Sequence, residues 1–148
     1  MPDFSSNTLC PAGDVARGVS RLLLGLGWSP LCEFTLPSGR RLDVAAVSDA
    51  GDVAAVEIKV SVADFRADEK WLEYLDFCDR YYFAVPDGFP VDILPADQGL
   101  IVADRFGAAI VREALHAPIA AARRKSLLIR FARTAAERFA RAADPFAP

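Results

Sequence analysis

The stretch RRLDVAAVSDAGDVAAVEIKV, Arg40 to Val60, reads as two apolar strands joined by a short turn. Asp49-Ala50-Gly51 is turn chemistry, with glycine supplying a positive φ. Three charged residues, Asp43, Glu57 and Lys59, interrupt these apolar runs. A buried charge is costly unless it is paired or holds a metal. Side chains alternate faces along a strand, so Glu57 and Lys59 share one face. A hairpin centred on Ala50 sets Asp43 opposite Glu57, and one centred on Gly51 sets it opposite Lys59. Either register gathers the three groups on one side of the sheet, where directly opposed Cβ atoms lie roughly 4.5–5.5 Å apart. Two facing carboxylates repel, and a hard divalent cation, Mg²⁺ or Mn²⁺, removes the repulsion. The adjacent lysine is then placed to stabilise charge developing on a phosphate.

Asp43, a turn and Glu57-Ile58-Lys59 resemble the core of the PD-(D/E)XK nuclease superfamily. The wider stretch is similar to one branch of it, the MmcB-type DNA repair proteins. The residues that carry this are GRRLDV (39–44), VEIKVSVADFRADEKWLEY (56–74), DFCDRYYFAVP (76–86) and PVDILPADQGLIVAD (90–104). The likeness covers roughly residues 11–115. Leu42 stands where the superfamily name has proline, and Val60 where the branch usually has Ser or Thr. The resemblance implies an α/β fold with a restriction-endonuclease-like core, a mixed central sheet flanked by helices. It also implies Asp43, Glu57 and Lys59 as catalytic residues. Asp43, Glu57 and the Ile58 backbone carbonyl would hold Mg²⁺ or Mn²⁺. Glu33 is a further carboxylate near that site, either a third ligand or an edge charge.

With 148 residues the chain suits one domain with its own core. It divides into a flexible arm (1–10), a nuclease-like domain (11–115) and a basic amphipathic helix of the same domain (116–148). No apolar run reaches the ~20 residues needed to span a bilayer, and the N-terminus lacks the pattern of a signal peptide. Three scattered cysteines, Cys10, Cys32 and Cys78, fit a reducing cytoplasm. His116 is the single histidine, which excludes His-rich zinc sites. The net charge of -3 is uneven. Residues 119–148 hold seven basic residues against two acidic, and the remainder ten against eighteen. A basic tail on an acidic body leaves room for local phosphate contacts.

In chain order, Pro11 opens a helix whose stripe is Val15, Val19, Leu22 and Leu26, with Gly27 as its stop. Strands follow at 31–36, in the two halves of the hairpin, and at 80–85, with a last hairpin at 99–103 and 108–113. Ser61 to Asp64 is a capping box that starts a helix running to about Phe77. Strand, helix, strand implies a parallel pair with a right-handed crossover. Arg40 and Arg41 at the hairpin mouth, and Lys70 on the crossover helix, are the candidate DNA contacts. From 119 to 143 a helix carries Leu128, Phe131, Ala135 and Phe139 on one stripe, and Arg123, Arg130 and Arg141 away from it. That stripe is too apolar for water, so it packs on its own sheet or on a second copy of the chain.

The reading is a Mg²⁺-dependent DNA endonuclease acting in repair, with DNA and other repair proteins as partners. The alternative is a non-catalytic nuclease-fold module that binds DNA or a repair partner. No Gly-rich phosphate loop or Ser-His-Asp set is present, so kinase and serine-hydrolase readings fall away.

Overall fold

A computed structural model describes residues 11–148; the predicted arm over 1–10 lies outside them. The elements are α1 (Pro11–Gly25), β1 (Ser29–Thr35), β2 (Arg41–Val47), β3 (Val53–Ile58), α2 (Val62–Ala67), α3 (Trp71–Tyr74), β4 (Arg80–Val85), β5 (Gly99–Ala103), β6 (Ala108–Arg112) and α4 (Ala121–Ala143). Single 3₁₀ turns at Leu75–Phe77 and Val91–Ile93 complete them.

The six strands form one mixed sheet in sequence order, β1 to β6. β1, β2 and β3 are antiparallel, β3, β4 and β5 are parallel, and β6 returns antiparallel to β5. Each parallel step needs a crossover, and the 59–79 segment supplies the first. β3 is buried along its whole length, as expected of a strand covered on both faces.

The pleat sorts the core into two layers. Val44, Ala46, Ala54, Val56 and Ala84 face α1 through Val15, Val19 and Leu23. Ala45, Ala55, Phe83 and Val85 face the opposite way, under the crossover and α4. Each large apolar side chain buried in this way contributes roughly 1.5–3 kcal/mol.

Two helices differ from the periodicity expected of them. In α1 the buried residue of the last turn is Leu23, while Leu26, just past the helix, is 55% exposed. Gly18 sits where a Cβ would come within 2.0 Å of the Asp104 carbonyl oxygen, which lets α1 close onto the β5–β6 turn. The 61–77 helix begins as expected, with the Ser61 hydroxyl accepting the Asp64 N–H at 3.0 Å. It then breaks at Asp68, which has extended backbone (φ -118, ψ 101), and restarts at Trp71.

α4 lies on the second layer. Leu127 is 1% exposed, and Phe131 packs on Phe34 with ring centroids 5.7 Å apart. Phe139, two turns further on, is 78% exposed. Of the predicted stripe, Leu128 and Phe131 therefore pack on the core of their own chain, and Phe139 stays exposed.

Candidate functional site

The β2–β3 hairpin takes the register centred on Ala50, running from Val47↔Val53 to Val44↔Val56. One step further sets Asp43 opposite Glu57, and the next sets Leu42 opposite Ile58. The ladder stops before either. The Ile58 N–H donates instead to Asp43 Oδ2 at 2.7 Å. The strands part at this point, and the Asp43 carboxyl bridges them. On its other side β2 pairs with β1 through Cys32↔Val44 and Phe34↔Leu42, and the intervening Glu33 is unpaired. Glu33 has φ 53, the one positive φ at a non-glycine among the described residues. Such backbone costs about 1–3 kcal/mol and persists where its surroundings hold it. Here the Arg138 guanidinium, from α4, donates to the Cys32 carbonyl and to the Glu33 carbonyl.

A cleft of about 480 Å³ opens where the strands part. Glu33, Asp43, Glu57, Ile58 and Lys59 all line it, together with the first turns of α1. Five of the residues singled out in the sequence are thus brought together, and three are not. Arg40 is engaged by Glu73, Nε to Oε2 at 2.6 Å. Arg41 and Lys70 are exposed, and neither lines the cleft.

Two cleft residues escaped the sequence reading, Asp64 and Asp68. Asp64 Oδ2 accepts the Val60 N–H at 3.2 Å, and Asp68 Oδ2 takes the Lys59 ammonium at 2.8 Å. The available signal was a pair of aspartates four apart where the crossover helix begins, and aspartate is a weak helix former.

Glu57 is only 6% exposed, and its Oε2 has no hydrogen-bond partner. Burial, with the neighbouring Asp43 charge, pushes its carboxyl up to about 8, so at neutral pH it holds a proton within reach of Asp43. Burial also raises Asp43, against the pull of the Ile58 N–H and of Lys59. Asp68 goes the other way. Partial burial would raise it, but hydrogen bonds from the Lys59 ammonium and the Lys70 N–H hold it below the usual carboxylate range. A buried carboxyl oxygen without a partner, beside a second carboxyl and the Ile58 peptide, is a hard-oxygen donor set that fits Mg²⁺ or Mn²⁺.

A second carboxylate group, Asp52 and Asp79 with His116, has ligand atoms within 4.8 Å of one another. Its centre is already taken. Asp79 accepts both Arg124 N–H groups at 2.6 Å, the Val53 N–H at 2.7 Å and the Ile119 N–H at 3.0 Å. This is an ion-pair hub that ties α4 to the starts of β3 and β4.

The sequence matches, over residues 5–146, a family model described as DNA repair protein MmcB-like. It is 43% identical to a protein of unknown function from Silicibacter pomeroyi whose structure is solved. The two superpose with a TM-score of 0.92, covering 95% of this chain and 97% of the other. No curated protein matches the chain.

Proposed function

The chain belongs to the MmcB-like DNA repair protein family, and on that premise we propose that it is a metal-dependent deoxyribonuclease of the PD-(D/E)XK type, hydrolysing phosphodiesters in DNA under repair. One observation carries the reading: the unpartnered buried oxygen of Glu57 shares a cleft with Asp43 and Lys59. The antiparallel β1–β2–β3 unit followed by a crossover to parallel β4 agrees with the core that the resemblance implies.

Asp43, Glu57 and the Ile58 carbonyl would hold the ion. A divalent cation in that place supplies Lewis-acid activation of water and neutralises charge on the scissile phosphate. The chain's own groups do the rest. The Ile58 N–H fixes the Asp43 carboxyl across the gap between the strands. Glu57 would have to release its proton to serve as a ligand, so binding of the ion would be favoured as pH rises. Lys59 offers an ammonium to the pentacovalent phosphate, whose added negative charge it stabilises. Glu33 adds a carboxylate at the cleft wall. Arg41 and Lys70, with Arg40 beside Glu73, take flanking phosphates.

A second reading is a non-catalytic module that binds DNA or a repair partner. It is favoured by the burial of Lys59, 3% exposed and already paired with Asp68. Incubation with supercoiled, single-stranded and branched DNA in Mg²⁺ or Mn²⁺ separates the two. The nuclease cuts at least one form, and Lys59→Ala and Glu57→Gln lower the rate by roughly 10²–10³. DNA binding without cutting in any form leaves the module reading.

A further inference from the structure

Lys59 is a buried ammonium, and burying one is costly without a counter-charge. Its partner is Asp68, nine residues on and outside the strand–turn–strand unit that carries the other site residues. Asp68 is itself held at both oxygens. Oδ2 takes the Lys59 ammonium at 2.8 Å, and Oδ1 takes the Lys70 N–H at 2.8 Å. Its backbone is the point where the crossover helix breaks. Both sides of the break are pinned to the same side chain of β4: Phe65 packs edge-on to Phe83 at 5.8 Å, and Trp71 at 5.3 Å. An uninterrupted helix would keep Asp68 in the i→i+4 ladder and leave no extended residue to reach back to Lys59.

We propose that Asp68 is the positioning residue for Lys59, and that the break in the crossover exists to present it. Without Asp68 the cleft still offers Lys59 the Asp43 carboxylate and, beside it, the oxygens of Glu57. An ammonium that falls onto them takes up the oxygens a cation needs. Asp68 therefore keeps the lysine available to the phosphate and off the metal ligands. The inference rests on the nuclease reading for its catalytic consequence, but not for the placement of Lys59.

The test uses the full chain and the isosteric substitution Asp68→Asn, with Asp68→Ala as a second variant and Glu69→Gln as the control. The chain has three lysines, Lys59, Lys70 and Lys125, so lysine labelled with ¹³C at Cε yields three assignable signals. Asp68→Asn should shift the Lys59 signal and leave Lys125 unmoved. Mn²⁺ affinity, read by paramagnetic resonance titration, should weaken roughly tenfold, the worth of one charge-assisted hydrogen bond. kcat on DNA should fall by a similar factor with KM unchanged, while the melting temperature stays within a few degrees. A Lys59 signal that does not move in either variant overturns the placement. Mn²⁺ affinity and kcat both unchanged overturn the functional consequence. If the unsubstituted protein neither binds Mn²⁺ nor cuts DNA, the nuclease reading fails, and the Lys59 signal still decides whether Asp68 positions it.

Discussion

At the scale of single residues, Glu57 sets a pH dependence whose sign can be stated. Its carboxyl is raised in the folded protein from 4.5 to about 8, by burial and by Asp43. The folded state therefore binds this proton more tightly than the unfolded chain does. The stability gained is fully present below the unfolded value and is lost as pH rises through the folded one. In chelator-containing buffer the melting temperature should fall between about pH 5 and 8, and Mg²⁺ should restore it at the upper end. Glu57→Gln should flatten the curve and abolish the Mg²⁺ response; a variant that still responds places the ion elsewhere. Asp79 makes the opposite kind of prediction. Its side chain is fully buried and bonded to Arg124, so Asp79→Ala strips the Val53 and Ile119 N–H groups of their acceptor and leaves Arg124 only Gly51 and Asp52. A loss of about 3–5 kcal/mol in urea denaturation is expected. Asp43, Glu57 and Lys59 were legible because charges interrupt apolar strands. Asp68 and Asp79 were not, because a surface aspartate and a buried one look alike until their partners, 9 and 45 residues distant, are in place.

At the scale of elements, the crossover and α4 carry the lesson. Helical spacing over 61–77 was real, yet Asp68 finds better bonds outside the helix than in it, and tertiary partners outweigh propensities worth a few tenths of a kcal/mol. In α4 the apolar spacing places Leu128 on the stripe, but the sheet takes Leu127 most deeply. Leu127→Ala should cost about 2–5 kcal/mol, measured by chemical denaturation. Arg138 is the more specific probe, since it holds the strained Glu33 at the cleft wall from the far part of α4. Arg138→Ala should leave the fold intact and lower Mg²⁺-dependent cutting; unchanged cutting would make that contact incidental. Gly18→Ala, with 2.0 Å to the Asp104 carbonyl, should force α1 off the β5–β6 turn and lower stability by about 1–3 kcal/mol.

At the scale of the whole molecule, the basic tail is less free than its charge suggests. Of its seven cations, Arg124 is spent on Asp79, Arg138 on β1 carbonyls, Arg123 on the Asp76 carbonyl at 2.9 Å and Arg133 on Glu137 at 3.6 Å. Lys125, Arg130 and Arg141 remain exposed. DNA affinity should therefore have a shallow salt dependence, and Arg130→Ala with Arg141→Ala should reduce the slope by no more than about 1.8 in log–log terms. No helix of the described residues is long and apolar enough to cross a membrane. By itself the sequence determined the strands, the hairpin, the parallel step to β4 and the trio Asp43, Glu57 and Lys59. All of these follow from local alternation and from charges placed where water cannot reach. Only the tertiary structure decided between the two hairpin registers, parted β2 from β3 at Asp43, broke the crossover helix at Asp68 and brought Arg138 back to Glu33. Those outcomes depend on partners far apart along the chain, and local periodicity carries no information about which distant group will satisfy a buried one.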